Sequence, residues 1–294
     1  MSRQHGLLFT TTGRASRYVI SVLIAAPGCP AIRVITRSAP NILDSFPAKL
    51  REPPHSIVVA DHYEGATFAG AFEGIDYVFH DGLPVHPLEE GMGMSVIDTA
   101  KAAGVRHFIM LSVLQPVRIK LPTHKVKLGL EEYLVESRLN YTILQPPHFM
   151  QNVDLELALR TRKIPLGYSS DHAQGFVDLV DIAAVVRKIL QDPDDHNLAR
   201  YELVSQNISY KDIAKLVSEA ARREIKCDDM TPAEYLATMN SERNIRNEYT
   251  EDIVLRILLY YDRWGLVGNS NTLRWLLGRE PNSWQSYLKR EIRR

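Results

Sequence analysis

Short apolar runs alternate with helical patterns through the first half of the chain. The runs are three to six residues long and rich in β-branched and aromatic residues, which is typical of buried strands. This alternation predicts an α/β fold with a doubly wound, parallel, Rossmann-type sheet in residues 1–150. The predicted strands are 7–9, 31–36, 56–60, 75–80, 107–112 and 141–145, and the predicted helices between them include 40–52, 68–72, 87–104 and 123–137.

The pattern changes after residue 150. Short strands are predicted at 163–166, 175–177 and 200–204, with an amphipathic helix at 178–190. Ser209 is a predicted N-cap for a helix over 210–223, and the chain is predicted to be mainly helical from residue 231. Apolar and aromatic residues cluster along these helices, which is typical of packing. Residues 151–294 are therefore predicted to form a smaller, mainly helical region that binds substrate and acts as a lid.

The first predicted strand passes through a tight turn directly into a helix. Such a turn directs backbone N–H groups and the positive end of the helix toward a diphosphate. The dinucleotide motif contains three glycines, but here only Gly13 remains, with Thr10 and Ser16 at the other two positions. The turn is thus either a buried βα connection without a ligand or a degenerate dinucleotide site. In the second case Thr10, Thr12, Gly13 and Arg14 are the candidate cofactor-binding residues.

Polar residues follow the other predicted strands. Arg37 ends the second strand, where a basic residue accommodates the 2′-phosphate of NADP, so it favours NADP(H) over NAD(H) as the candidate cofactor. Asp61 follows the third strand and His80 and Asp81 end the fourth. Strand ends gather at one edge of a parallel sheet, which makes Asp61 a cofactor candidate and His80 and Asp81 substrate candidates. Taken singly, each aspartate is better explained as a cap on the following helix.

Composition narrows the class of protein. Lys plus Arg and Asp plus Glu both number 35 among 294 residues, so no basic field predicts a nucleic-acid partner. The two cysteines show no metal-ligand spacing, and we expect no metal cofactor. Neither a signal sequence nor an apolar run of about 18 residues is present, so we expect a cytoplasmic protein without a membrane partner. A homo-oligomer is compatible with the sequence.

Motifs along nearly the whole chain resemble those of the NmrA-like family of atypical short-chain dehydrogenase/reductases. The opening turn of that family reads G-A-T-G-x-x-G followed by R-Y-V or similar, and residues 10–19 align with it without a gap. Further matches are Val34-Ile35-Thr36-Arg37, residues 96–105 with His107-Phe108, the strand end at Ser112, His124-x-x-Lys127 with Glu131, residues 141–146, Phe149-Met150-x-Asn152 and Leu276-Leu277-Gly278-Arg279-x-Pro281.

The resemblance implies roles for several residues. The wider superfamily uses a Tyr-x-x-x-Lys pair in which the lysine lowers the pKa of the tyrosine, so that it can protonate a carbonyl oxygen. Lys127 matches the lysine, but Thr123 occupies the tyrosine position and is too weak an acid to replace it. The implied catalytic residues are therefore Lys127 and His124. Ser112 is an implied cofactor-binding residue, and His148 and Phe149 are implied substrate-binding residues.

Three functions follow from these observations. We place first a small-molecule enzyme, of secondary-metabolite biosynthesis, with non-redox proton-transfer chemistry such as cyclisation, isomerisation or addition to a conjugated double bond. The alternative is an NADPH-dependent reductase of an unsaturated or aromatic metabolite, and the third is a non-catalytic NADP-sensing regulator. The lost glycines and the lost tyrosine favour the first over the reductase. The apolar lid favours a hydrophobic small-molecule substrate over the regulator.

Overall fold

A computed structural model describes residues 6–37, 46–61, 65–243 and 247–292. The strands of its main sheet are β1 (Gly6–Phe9), β2 (Ala31–Thr36), β3 (Ser56–Val59), β4 (Tyr77–His80), β5 (His107–Leu111), β6 (Tyr141–Gln145) and β10 (Ala199–Glu202). The accompanying helices are α1 (Arg14–Ala25), α2 (Gly65–Gly70), α3 (Glu89–Ala102), α4 (Pro122–Ser137) and α6 (Leu179–Gln191). The predicted Rossmann-type α/β fold is confirmed.

The strand order explains where this fold can bind a ligand. The strands of the main sheet lie in the order β10-β6-β5-β4-β1-β2-β3. The six strands β1 to β6 all pair in parallel with one another where they are neighbours. The chain moves outward from β1 to β3 in one direction and from β4 to β6 in the other. The direction in which the chain adds strands therefore reverses between β1 and β4. The loops that follow these two strands consequently lead to opposite faces of the sheet. Such a switch point is where open α/β sheets bind ligands.

Burial explains why the apolar runs form these strands. Leu7, Leu8 and Phe9 of β1 are fully buried, because the central strand of a parallel sheet is covered on both faces. Helix α1 buries Val19, Ile20 and Leu23 on the face toward the sheet, at the spacing that gives a helix one apolar side. The first element pair is thereby held rigidly at the centre of the sheet.

Strand β10 differs in position from the sequence prediction. Residues 200–204 were expected to belong to the region after residue 150, whereas β10 lies beside β6 as the seventh strand of the main sheet. The chain is correspondingly divided into two compact units. The first contains 1–113, 126–145 and 182–201, and the second contains 114–125, 146–181 and 202–294. The chain thus returns to the first unit after entering the second.

The second unit contains short strands and most of the later helices. Its strands are β7 (His148–Phe149), β8 (Lys163–Leu166), β9 (Ala173–Val177), β11 (Gln206–Ser209) and β12 (Lys226–Asp229), in sheets ordered β11-β9-β7 and β12-β8. Its helices are α5 (Leu155–Thr161), α7 (Tyr210–Ala221), α8 (Pro232–Arg243), α9 (Glu248–Trp264), α10 (Asn271–Leu277) and α11 (Trp284–Glu291). The predicted cap is confirmed, since the Ser209 hydroxyl accepts a hydrogen bond from the Asp212 N–H.

Two sequence predictions fall partly outside the description. The predicted helix over 40–52 lies partly outside the described residues, and its described part contains a 3₁₀ helix at Ala48–Arg51. Strands β7, β11 and β12 were missed because each has only two to four residues and little periodicity. No described helix has both the length and the apolarity needed to cross a membrane.

A buried carboxylate anchors the C-terminal helix of the second unit. Asp178, which follows β9, is fully buried and accepts hydrogen bonds from Gln151, Asn282 and both terminal nitrogens of Arg290. Burial alone would raise the pKa of the Asp178 carboxyl, but Arg290 and the other donors outweigh it and hold the pKa below its ordinary value. The charged form of Asp178 is therefore part of the folded structure.

Replacing Arg290 should destabilise this unit in a pH-dependent way. Arg290→Met removes two charge-assisted hydrogen bonds, and because the guanidinium is partly exposed we expect a loss of about 1–2 kcal/mol in the free energy of unfolding at pH 7. A carboxyl with a lowered folded pKa contributes stability that is complete above the ordinary aspartate pKa of about 3.9 and is lost as the pH falls through the folded value. The difference between variant and parent should therefore shrink in acid.

Urea unfolding at several pH values measures this difference. Lys289→Met is the matched control, because it removes a neighbouring exposed charge of the same helix. An equal destabilisation by both substitutions, or one that does not change with pH, would contradict the assignment.

Candidate active site

Side chains from the β1 turn and the end of β4 bond to one another at the switch point. The backbone N–H of Thr10 donates to the carbonyl of Phe79, which continues the contact of the two strands into the turn. A hydrogen bond of 2.7 Å joins Thr10 Oγ1 and His80 Nδ1. The next residue of each segment repeats the contact, since the Thr11 hydroxyl donates to Asp81 Oδ1. The turn is thereby fixed to the end of β4.

Asp81 also reaches the first turn of α1. Its Oδ2 accepts from the backbone N–H of Ser16 at 3.3 Å and from the Ser16 hydroxyl at 3.0 Å. Ser16 is the third residue of the helix, where backbone N–H groups have no partner within the helix and a carboxylate is favoured by the helix dipole. Burial is the largest influence and raises the pKa of the Asp81 carboxyl above its ordinary value, although the bonds from Thr11 and Ser16 and the charge of Lys127 offset part of this rise.

These contacts explain the two substituted glycines of the motif. Thr10 and Ser16 stand where glycines were expected, and from the sequence their side chains could either weaken the binding of a dinucleotide or be accommodated as small polar groups. Both are buried, and each hydroxyl bonds to one of two consecutive residues, His80 and Asp81. The hydroxyls are therefore directed into the protein, where that of Thr10 is bonded to the last residue of β4 and that of Ser16 to the residue that follows β4.

The remaining glycine is required by close packing. A Cβ at Gly13 would lie 2.9 Å from Asp81 Oδ2, nearer than real Cβ contacts allow. Gly13 is also the residue immediately before α1, so the backbone of the turn leads directly to the positive end of the helix. This part of the dinucleotide motif is retained in both sequence and geometry.

A buried ion pair lies at the same end of β4. Lys127 Nζ of α4 approaches Glu89 Oε1 of α3 at 2.8 Å, and both side chains are almost completely buried. The loop after β4 passes directly beside the pair, because a Cβ at Gly82 would lie 2.6 Å from Lys127 Nζ. Gly82 also has φ +69°, a conformation that favours glycine. Three ionisable groups therefore meet at this loop, namely those of Lys127, Glu89 and Asp81.

Glu131 does not pair with Lys127, although the two are four residues apart on α4. Its carboxylate accepts from the Ser112 hydroxyl at the end of β5 and from the Gln145 side-chain amide at the end of β6. Both Ser112 and Glu131 are buried. Spacing of four residues on a helix would allow an exposed ion pair between Lys127 and Glu131. Glu131 is instead buried and bonded to other groups, and Lys127 pairs with Glu89 of another helix.

His124, the other predicted catalytic residue, belongs to the second unit. Its Nδ1 lies 3.1 Å from the carbonyl oxygen of Gln115, so Nδ1 carries the hydrogen and Nε2 is the acceptor. Burial lowers the pKa of His124 to about 4, which leaves about one molecule in a thousand protonated at pH 7. His124 is therefore a neutral imidazole at pH 7, and a pKa this far below neutrality makes it a poor general acid and only a weak general base.

His148, a predicted substrate-binding residue, also lies in the second unit. Its ring contacts Phe176 and Tyr261, with centroids 5.6 Å and 4.8 Å away. Burial lowers the pKa of His148 to about 4, so the ring is neutral at pH 7. Within the described part of the chain, its Nε2 has no hydrogen-bond partner. Phe149 follows in β7 and is half-buried.

The other predicted cofactor residues are more accessible. Arg37 follows the last residue of β2 and is exposed, as is Arg14 at the first position of α1. Thr12 is half-buried in the turn, and Asp61 is half-buried just beyond β3. Glu89 was missed, because nothing in its local sequence indicates a contact with α4. Across the described ranges, no three histidine, cysteine, aspartate or glutamate side chains are placed to hold a metal ion.

Comparison with known proteins identifies the family. The model of the NmrA-like family matches residues 4–264, and the chain belongs to that family. Among curated relatives, Prestalk A differentiation protein A of Dictyostelium discoideum is 24% identical over 60% of this chain and 57% of its own length. The NAD(P)H azoreductase of Xenophilus azovorans is 31% identical over 56% of this chain and 58% of its own length. The chain thus spans less than two thirds of the length of either relative.

A solved structure shows the same fold over nearly all of both chains. The NADPH-dependent quinone oxidoreductase QOR2 of Escherichia coli, complexed with NADPH, superposes with a TM-score of 0.80 at 20% sequence identity. The match covers 98% of this chain and 100% of the oxidoreductase chain. At this identity the likeness establishes the fold.

Restoring a motif glycine at position 16 should lower the stability of the protein. Ser16→Gly deletes the hydroxyl that bonds to Asp81 and adds backbone freedom to α1, so we expect the free energy of unfolding to fall by about 1–3 kcal/mol. Ser16→Ala separates the two effects, because it deletes the hydroxyl and keeps helix propensity.

Chemical denaturation measures both variants. Ser21→Ala is the control, since Ser21 lies on the same helix, is exposed, and bonds only locally to the Arg17 carbonyl. Unchanged or increased stability of Ser16→Gly would show that the Asp81 bonds do not support the turn.

Proposed function

We propose that this protein is an NADPH-dependent reductase of a hydrophobic small molecule that carries a polarised double bond, such as a quinone, an azo compound or another unsaturated or aromatic metabolite. The observation that carries the proposal is the bonding of Thr10 and Ser16 to β4, because it removes the main argument against a dinucleotide at the β1 turn. The azoreductase and quinone oxidoreductase relatives support the same conclusion. This reverses the order inferred from the sequence, which placed non-redox chemistry first.

The residues present fit a dinucleotide. Gly13 keeps the backbone of the turn free of a side chain, and α1 begins directly after it with its positive end toward the turn. The Asp81 carboxylate opposes a bound anion, but its charge is shared among donors from Thr11 and Ser16. Exposed Arg37 at the end of β2 would bind a 2′-phosphate, and Arg14 would lie beside the diphosphate.

The bound nicotinamide would supply a hydride to one atom of the substrate double bond. Lys127 supplies the matching proton, because its ammonium group lies buried at the end of β4 and the tyrosine of the superfamily is replaced by Thr123. The ammonium would polarise the substrate oxygen or nitrogen and transfer a proton to that atom. The lysine would take up a proton from water once the product has left, which restores its starting state.

His148, an implied substrate-binding residue of the second unit, supports the kind of substrate proposed. His148 has an unbonded ring nitrogen in an aromatic environment of Phe176 and Tyr261. Such a group can bind one polar atom of an otherwise apolar molecule. This combination supports a hydrophobic substrate with few polar atoms.

Cofactor binding and turnover test the proposal together. Titration with NADPH, followed by nicotinamide fluorescence, should show saturable binding, and quinones or azo dyes should oxidise the bound NADPH. Tight binding without oxidation of NADPH by any acceptor would favour the sensing regulator. Absence of binding at millimolar NADPH would contradict the reductase and return the non-redox enzyme to first place.

Lys127→Met should abolish the chemistry while cofactor binding remains. We expect turnover to fall by about 10²–10⁴-fold, the usual contribution of a general acid, with the NADPH affinity changed by less than threefold. Lys125→Met is the matched control, because Lys125 is exposed on the same helix. Equal turnover in the two variants would exclude Lys127 as the proton donor.

Arg37→Ala should remove the preference for the phosphorylated cofactor. The parent protein should bind NADPH more tightly than NADH, and the variant should bind both with similar affinity because the 2′-phosphate loses its cation. Arg223→Ala, an exposed arginine after α7, controls for the change in net charge. Equal affinities of the parent for NADH and NADPH would contradict the assignment of Arg37.

A further inference from the structure

The geometry of the Lys127–Glu89 pair differs from that of a closed salt bridge. Nζ and Oε1 are 2.8 Å apart, yet among the described residues neither atom has a hydrogen-bond partner of acceptable alignment. Their attraction is therefore mainly Coulombic, and the hydrogen-bonding capacity of the ammonium is left for another acceptor. A buried pair of this kind is not explained by stability alone, because desolvation of two charges offsets much of their attraction.

The position of Glu89 favours its charged form. It is the first residue of α3, where the helix dipole stabilises an anion. A lysine buried without a counter-ion loses its proton readily, since burial disfavours the charged form. The carboxylate of Glu89 thus places an opposite charge directly beside Nζ of Lys127 where both side chains are buried.

Other charged and titratable groups also surround Lys127. From the end of β4, the Asp81 carboxylate interacts electrostatically with Lys127, and His80 Nε2 lies 3.8 Å from the Cβ that Gly82 would carry. From its own helix, Glu131 is engaged by Ser112 and Gln145. Glu89 is the carboxylate at contact distance, so its removal should have the largest effect on Lys127.

We propose that Glu89 is the positioning residue of the active site, which keeps Lys127 protonated and holds its Nζ beside Gly82 with hydrogen-bonding capacity directed to the substrate. This inference rests on the proposed function, in which Lys127 donates the proton. Glu89 does not itself touch the substrate. In the superfamily the catalytic lysine works with a tyrosine, and here Glu89 is the partner of the lysine.

The charge state of Lys127 can be measured without cofactor or substrate. The ¹³Cε resonance of Lys127, assigned by its loss in Lys127→Arg, reports the ionisation of the amine as the pH is raised. In Glu89→Gln this resonance should titrate at a pH lower by at least about one unit than in the parent protein. Glu90→Gln is the matched control, because Glu90 is the adjacent, exposed carboxylate of the same helix, and it should leave the titration unchanged.

Kinetics provide the second measurement. Glu89→Gln should lower kcat at pH 7 at least tenfold with KM changed less than threefold, and the alkaline limb of its pH profile should move to lower pH, whereas Glu89→Asp should restore part of kcat. If Glu89→Gln does not fold, both measurements are made on Glu89→Asp, for which a smaller shift in the same direction is expected.

A Lys127 resonance that titrates alike in parent and folded variant overturns the inference even in the absence of turnover. A shifted resonance in a protein without NADPH oxidation supports Glu89 and contradicts only the reductase.

Discussion

The carboxylate of Asp81 ties the end of β4 to the N-terminal turn of α1. Its two oxygens accept from Thr11 and from both donors of Ser16, and so one side chain connects three segments at the switch point of the sheet. The close approach of Gly13 and the burial of Ser16 both depend on this contact. The β1 turn is thus held in place by a residue 65 positions away from Ser16 in the sequence.

This contact changes how the substituted glycine motif is interpreted. Loss of a glycine from a phosphate-binding turn ordinarily suggests lost binding, because a side chain occupies space near the ligand. Here the added hydroxyls bond to β4 and strengthen the contact between the strand and the helix. The side chains of the motif have therefore changed, while Gly13 still stands directly before the start of α1.

Most of the strands and helices could be predicted from the sequence, but few of the contacts between them. Strands such as β1 and β4 and helices such as α4 were evident, because their apolar patterns are set by neighbouring residues. The position of β10 beside β6 depends on a pairing between distant segments, which periodicity does not contain. The same holds for the site. Helical spacing allows Glu131 as an ion-pair partner of Lys127, whereas Glu89 is brought to it by the packing of α3 against α4. The residue types were predictable, and their partners were not.

The central claim is that the β1 turn, with Thr10 and Ser16 in place of glycines, receives the diphosphate of a dinucleotide. Hydrogen–deuterium exchange of the backbone amides of residues 12–17, with and without saturating NADPH, tests it most directly. The account predicts that NADPH slows exchange at these amides more than at those of α11, because a bound diphosphate accepts hydrogen bonds at the start of α1. Unchanged exchange at residues 12–17 when NADPH is bound elsewhere, or no effect of NADPH at any amide, would contradict it.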